Sequence, residues 1–319
     1  MPEIAYQAQD FIMNTNVEQQ IFADNSSEIY ATAISELHRL ENLMSFYRDV
    51  SEVSQLNKQA GKDVVKVSKD MMMVLVQARN CSLLSENAFN IMLSPLIQLW
   101  RRAGEKNMLP TAAEIENALA LCDIDDLMLD NINNTAYLKK QGCMIDLGGI
   151  GKGFAADVCC DIYKDMGVTS AFINLGGNVK AIGTRADGKP WTVGIQHPDK
   201  PRGICYSAIA CTDMSVVTSG GYERYQEIND VKYHHIIDGI TGYPSETNLK
   251  SVTVLSQSSM QADALSTAAF VMGLKKGAQL IYDSECIGAM FFTKSDEIYL
   301  TKGIKQHLNL LEKLTCYEF

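Results

Sequence analysis

The sequence predicts an α+β fold, and three observations predict it. Segments with strand character come in consecutive runs. Segments with helical spacing sit between those runs. No regular strand–helix alternation links them. The first run covers residues 7–22. Asn25 with Glu28 has the form of a capping box, and opens a helix with Ile34, Leu37, Leu40 and Met44 at helical spacing. A second helix over 69–84 keeps Met71, Val74, Leu75, Ala78 and Cys81 on one face. Thr111 with Glu114, just after Pro110, marks a third helix start. Short strands follow at 127–129, 136–138 and 143–147, and the last feeds a glycine-rich turn and a helix over 152–166. Strands are then expected at 171–175, 179–183, 191–195, 204–210 and 215–218, and later at 251–255, 288–292 and 297–300. A helix over 260–272 lies between the strands at 251–255 and 288–292, and a short strand ends at the pair His234-His235. No linker, low-complexity stretch or repeat divides the chain, so 1–319 reads as one unit.

The chain has 319 residues, 46% of them apolar and 21% charged, which is ordinary for a globular protein with a large core. A net charge of −10 argues against a nucleic-acid or anionic-membrane surface. A polyphosphate ligand would therefore need local help, most simply from a divalent cation. No apolar run has the length of a membrane span. The start, Met1-Pro2-Glu3-Ile4, lacks the parts of a signal peptide, which points to the cytoplasm unless a leader has been trimmed. Nine scattered cysteines with no Cys-x-x-Cys pair suggest neither a disulfide framework nor a zinc site.

The most informative segment runs from Asp146 through Gly148, Gly149, Gly151, Lys152 and Gly153 to Asp157. A glycine-rich turn at a helix start offers N–H groups and the positive end of the helix dipole to an anion, and Lys152 adds a point charge. It is not a Walker A loop, because Asp146 replaces the first glycine and Gly153 the Ser or Thr after the lysine. It is not a dinucleotide fingerprint either, because Phe154 stands at the last glycine. By itself it is equally consistent with a tight turn that binds nothing. Asp263 and Thr267 are four residues apart on one helix face, a spacing that suits two oxygen ligands of Mg²⁺ but is also common in unliganded helices. The cluster Thr218-Ser219-Gly220-Gly221-Tyr222-Glu223 offers hydroxyl and N–H groups after a strand. His234 and His235 point to opposite faces, so they do not share a metal, and Asp238 falls on the side of His234 if the strand continues that far.

Taken together, in order and spacing, these segments resemble the ApbE family of FAD:protein FMN transferases. The resemblance runs from Met13-Asn14-Thr15 through Ser51-Glu52-Val53-Ser54-Gln55-Leu56-Asn57 and Ala88-Phe89-Asn90 to Pro95-Leu96-Ile97-Gln98-Leu99-Trp100. It continues through the glycine-rich turn, Asn174-Leu175-Gly176-Gly177-Asn178, Trp191-Thr192-Val193-Gly194-Ile195, Thr218-Ser219-Gly220 and His235-Ile236-Ile237-Asp238. It ends at Ala262-Asp263-Ala264-Leu265-Ser266-Thr267-Ala268. The resemblance implies two T-fold-like halves packed as one unit, with FAD in the groove between them. It implies one or two Mg²⁺ ions on Asp263 and Thr267, with Ser266 beside them and a main-chain carbonyl at Gly149. The implied FAD contacts fall on Met13, Tyr47, Ala88, Phe89, Asn90, Asp146 and Lys152, with Thr218, Ser219 and Ile237 added to the groove.

The implied reaction moves FMN from FAD to a Ser or Thr hydroxyl of an acceptor flavoprotein, in a Ser/Thr-Gly-Ala-Thr-like segment, and releases AMP. The site physics agrees: Lys152 would stabilise phosphate charge, and His235 is the preferred base, with His234 and Asp238 as alternatives. A Mg²⁺-dependent FAD pyrophosphatase and a non-catalytic FAD carrier are the competing readings. Asn14 stands where the family usually has glycine, Asn90 where it has aspartate, and Gly239-Ile240 where a Pro-basic pair is usual, which is expected to loosen that turn.

Overall fold

The computed structural model describes residues 6–222 and 224–319. Glu223 and the segment Met1-Pro2-Glu3-Ile4 lie outside the described residues. The frame is a nine-stranded sheet. Its strands are β1 (Tyr6–Ile12), β2 (Thr15–Ile21), β3 (Ala171–Leu175), β4 (Asn178–Ile182) and β5 (Ser215–Gly220), followed by β6 (Leu249–Ser256), β7 (Gly288–Thr293), β8 (Glu297–Leu300) and β9 (Thr315–Glu318). They lie side by side in chain order. Neighbours are antiparallel except β8 and β9, which run parallel.

Among the described residues seven α-helices accompany the sheet: α1 (Ser26–Met44), α2 (Glu52–Lys58), α3 (Lys69–Leu84), α4 (Ser94–Lys106), α5 (Ala112–Leu119), α6 (Gly151–Asp165) and α7 (Ser259–Tyr282). Strand side chains alternate between two faces, and here both faces are buried. Val217, Val252, Val254 and Phe291 join the main core with residues of α1, α3, α6 and α7. Val216, Leu255, Met290 and Phe292 point the other way, under a smaller sheet of Trp191–Gln196, Cys205–Cys211 and Leu308–Leu310. A third cluster joins Leu96, Trp100 and Ile115 of α4 and α5 to Ile228 and Ile237, and Trp100 Nε1 donates to the carbonyl of Gly242 at 2.9 Å. No helix of the described residues is long and apolar enough to cross a membrane. All nine cysteines are free.

The predicted helix over 69–84 is α3 residue for residue, and 171–175 and 297–300 are β3 and β8. Four expectations need correction. Residues 143–147 are extended but form no strand. The Asn57 side chain takes the partner's place, accepting from Ile145 N at 2.7 Å and donating to Ile145 O at 3.0 Å, while Asp146 N donates to Ile91 O. Asn25 precedes α1 but its side chain makes no cap bond. The helix expected to stop at 272 continues as α7 to Tyr282, across a kink at Gly273 (φ 74°, ψ −177°) that only glycine adopts readily. The strand before Asp238 ends at His234, so facing arguments stop there. Helices α2 and α4 were not anticipated.

Candidate active site

The N-termini of α6 and α7 meet, and each helix lends the other a carboxylate. Asp157 of α6 accepts from the backbone N–H groups of Ser259 and Met260, both at 2.9 Å, and from the Ser258 hydroxyl at 3.2 Å. Asp263 of α7 accepts from the N–H of Gly153 at 3.0 Å. These bonds satisfy helix N–H groups that have no partner within their own helix. Gly153 permits the approach, since a Cβ there would lie 2.3 Å from the carbonyl oxygen of Ser259. Lys180, from β4, pairs with Asp157 and so neutralises one of the two carboxylates.

Lys152 serves the other. Its Nζ lies 3.5 Å from both Asp263 oxygens and donates to the carbonyl of Gly148 at 3.0 Å. Asp263 is 4% exposed, so its charge needs these partners. One turn further on, the hydroxyls of Ser266 and Thr267 face β5, where Ser219 Oγ lies 2.9 Å from Ser266 Oγ and 3.0 Å from Thr267 Oγ1. Ser266 also donates to the carbonyl of Asp263. Asp263, Ser266, Thr267, Ser219 and Lys152 are thus brought together as the sequence predicts. Thr218 turns aside and bonds Thr253 across the sheet at 2.9 Å.

The oxygen-rich donor set bears on the implied metal. Among the described residues no three His, Cys, Asp or Glu side chains converge. An ion here would rest on one carboxylate, hydroxyls, a carbonyl and substrate oxygens, which suits hard Mg²⁺ and not zinc. The residues present therefore fit the group.

His235 follows the Tyr225–Ile228/Val231–His234 hairpin. Its Nδ1 is 3.0 Å from the carbonyl of Arg224, which also accepts the backbone N–H of His235. A carbonyl only accepts, so Nδ1 carries the proton and Nε2 keeps its lone pair. The residue is exposed, yet its pKa falls to about 4. Desolvation by the surrounding walls is the main cause, and the charges of Arg224, His234 and Lys152 add to it. His234 points inward, donates through Nε2 to the carbonyl of Ser245 at 2.9 Å and packs edge-on against Phe270.

Asp238 does not stand free. One oxygen accepts from Ile240 N at 2.8 Å and the other from the Thr241 hydroxyl at 3.2 Å. These bonds organise the 238–243 turn. The same bonds hold a turn that was expected to be loose. Ile237 is buried in the third core cluster.

The remaining predicted contacts have these places in the structure. Asp146 accepts from Gly148 N at 2.7 Å, and burial pushes its pKa up. Phe89 is buried, with its ring edge 3.2 Å from where a Gly149 Cβ would stand, and Ala88 is buried beside it. Both ends of the Asn90 amide are used locally, on Met92 N at 2.8 Å and Cys122 O at 2.7 Å. Met13 sits at the β1–β2 turn with φ 54°, its N–H on Glu41 Oε1 at 3.0 Å. Tyr47 is 68% exposed, with the Arg101 guanidinium 5.8 Å from its ring centre. Among the described residues neither Met13 nor Tyr47 takes part in the bonds around Asp263. Sequence reasoning missed Gly153 N–H and Arg224. Both act through the main chain, which no side-chain pattern reveals.

Fold and site together define an α+β protein with an oxygen-rich cluster, joined by Lys152, where two helix N-termini meet. The ApbE family model matches residues 13–291, and the chain belongs to that family. It is 36% identical to an FAD:protein FMN transferase of Klebsiella pneumoniae over 265 residues, which is 83% of this chain and 82% of that one. It is 31% identical to one of Treponema pallidum over 324 residues, 96% of this chain and 90% of that one. Among solved structures, the flavin transferase ApbE from Vibrio cholerae superposes with a TM-score of 0.86 at 27% identity, covering 96% of this chain and all (100%) of that chain. The ApbE protein from Thermotoga maritima gives 0.85 at 30% identity, covering 92% and 96%.

Proposed function

We propose that this chain is an enzyme, an FAD:protein FMN transferase, that moves FMN from FAD to a Ser or Thr hydroxyl of an acceptor protein and releases AMP. One observation carries the reading: Lys152, Asp263, Thr267 and Ser219 converge where α6 and α7 meet, in a chain of the ApbE family. The whole chain acts as one unit, with FAD between two T-fold-like halves. Bound Mg²⁺, held by Asp263 and Thr267 with Ser266 and the carbonyl of Gly149, would supply a Lewis acid on the pyrophosphate oxygens and offset their charge. Lys152 holds the phosphates by charge, and Asp146 with the 88–90 segment walls the groove. His235 Nε2 takes the proton of the acceptor hydroxyl as its oxygen attacks the FMN phosphorus. The phosphoanhydride bond to AMP breaks, and AMP leaves with the electron pair.

The test is the intact mass of a flavoprotein domain carrying a Ser/Thr-Gly-Ala-Thr-like segment, after incubation with this protein, FAD and Mg²⁺. The expected result is a gain of one FMN that disappears without Mg²⁺. Release of AMP and free FMN with no mass gain on any such domain would replace the transferase by a pyrophosphatase, and no FAD consumption would leave a binding protein.

A further inference from the structure

A cavity of about 450 Å³ is lined in part by Arg224, the residue bonded to His235. The carbonyl of Arg224 fixes the His235 tautomer, while the residue itself lines the cavity. Lys200, Arg202 and His197 line it too, and the described lining residues include no carboxylate. This is the reverse of the chain as a whole, which carries a net charge of −10. Lys200 is held by Glu312 at 2.7 Å. Arg202 and Arg224 are exposed and form no ion pair among the described residues. Phe11, 68% exposed, stands among the lining residues and offers an apolar contact.

We infer that this cavity is the docking site for an acidic segment of the acceptor protein, adjoining the hydroxyl that receives FMN. The inference rests on the transferase reading. In that reading the pyrophosphate of FAD is served by Lys152 and the helix N-termini, and Arg202 in the cavity wall is left for a different anionic group. The acceptor hydroxyl has to reach His235, and Arg224, whose carbonyl holds the other ring nitrogen of that histidine, belongs to the positively charged wall. On a chain of net negative charge a positively charged cavity favours an acidic segment, so charge sets the register as well as the encounter rate. Arg202 and Arg224 are suited to the task, because a guanidinium takes a carboxylate through two parallel hydrogen bonds.

The experiment uses two dye-labelled peptides containing Ser-Gly-Ala-Thr, one flanked by aspartates and one by lysines. Their binding to the full chain is read by fluorescence anisotropy at low and high salt. The expected result is about tenfold tighter binding of the aspartate peptide at low salt, a difference that shrinks as salt screens the charges. Arg202→Glu is expected to abolish or invert that preference, with FAD affinity and melting temperature unchanged. Equal binding of the two peptides, or an unchanged preference in Arg202→Glu, overturns the inference. Loss of FAD affinity instead would assign the cavity to a phosphate of FAD and overturn it too. Mass spectrometry of the same peptides separates the two readings. Charge-selective binding without FMN gain supports the docking site and counts against the transferase, while FMN gain without charge selectivity sinks the docking site alone.

Discussion

At the scale of single residues, protonation states decide the chemistry. His235 has its Nδ1 proton fixed by Arg224 and a pKa near 4, so its Nε2 lone pair is available throughout the neutral range. Transfer by the parent protein is therefore expected to hold a plateau from about pH 8 to 6 and to fall only towards its low pKa, unlike an ordinary histidine base with a limb near 6.5. A half-loss of rate near pH 6.5 that disappears in His235→Ala would contradict this. His235→Ala itself is expected to slow transfer by about 10²–10⁴-fold with FAD still bound. The sign of the stability effect follows from the same shift. The unfolded chain takes up the proton near 6.5 and the folded chain only near 4, so stability is full above the first value and declines as pH falls through this window. His234, lowered chiefly by burial, acts in the same direction. Lys152 is the second case. Lys152→Met leaves the nearly buried Asp263 carboxylate with only Gly153 N–H, at a cost of about 1–3 kcal/mol. Thermal melts should show a lower apo melting temperature, and Mg²⁺ alone should restore more of it than it adds to the parent. The same Asp263–Thr267 pair was legible in the sequence because four residues along a helix share a face. Ser219 was legible in the Thr218-Ser219-Gly220 cluster, whereas Arg224 enters through a carbonyl and leaves no trace in residue spacing.

At the scale of elements, identical patterns gave different outcomes for reasons of backbone geometry. Thr111 is extended (φ −72°, ψ 157°), which aims its hydroxyl at Glu114 N, and the full capping box forms. Asn25, followed by the same Glu three residues on, has φ −100° and ψ 31°, and its side chain caps nothing. Residues 143–147 read as a strand because their apolar pattern is that of a buried strand, and the partner that replaces a strand is one asparagine from α2. The meeting of α6 and α7 was not legible at all, since it depends on two helices more than a hundred residues apart. It makes its own prediction. Gly153→Ala puts a methyl 2.3 Å from Ser259 O and 2.7 Å from Met260 Cα, both backbone atoms, so the helices have to separate. The overpacking is expected to destabilise by about 1–3 kcal/mol. It should also break the Gly153–Asp263 bond, so transfer measured well below the melting temperature is expected to fall further than the unfolded fraction explains. Normal turnover in a variant with a lowered melting temperature would show that the helix junction is structural only.

At the scale of the whole molecule, the groups proposed for catalysis ride on a frame that does not depend on them. The nine strands follow chain order, and the core clusters on both sheet faces are built from apolar side chains. Asp263 already has Lys152 and Gly153 as partners, so the fold does not require a metal to neutralise that carboxylate. Removing divalent ions with a chelator is therefore expected to leave the apo melting temperature nearly unchanged, in contrast to a small domain whose fold is assembled by its metal. The ligands should matter only jointly. FAD brings two phosphate charges to an acidic chain, and without Mg²⁺ only Lys152 and the helix termini oppose them. FAD alone is thus expected to stabilise weakly. FAD with Mg²⁺ at about 100-fold over its dissociation constant should add about 2.7 kcal/mol, which appears as a rise of several degrees in the melting temperature. A non-hydrolysable FAD analogue keeps the measurement free of turnover. The same melt on Asp263→Ala separates the possibilities: with the carboxylate gone, the joint increment should collapse to that of FAD alone. An undiminished increment would move the metal away from α7, and with it the assignment of Thr267 and Ser266. A large drop in apo stability on chelation of the parent would show that the ion is part of the frame.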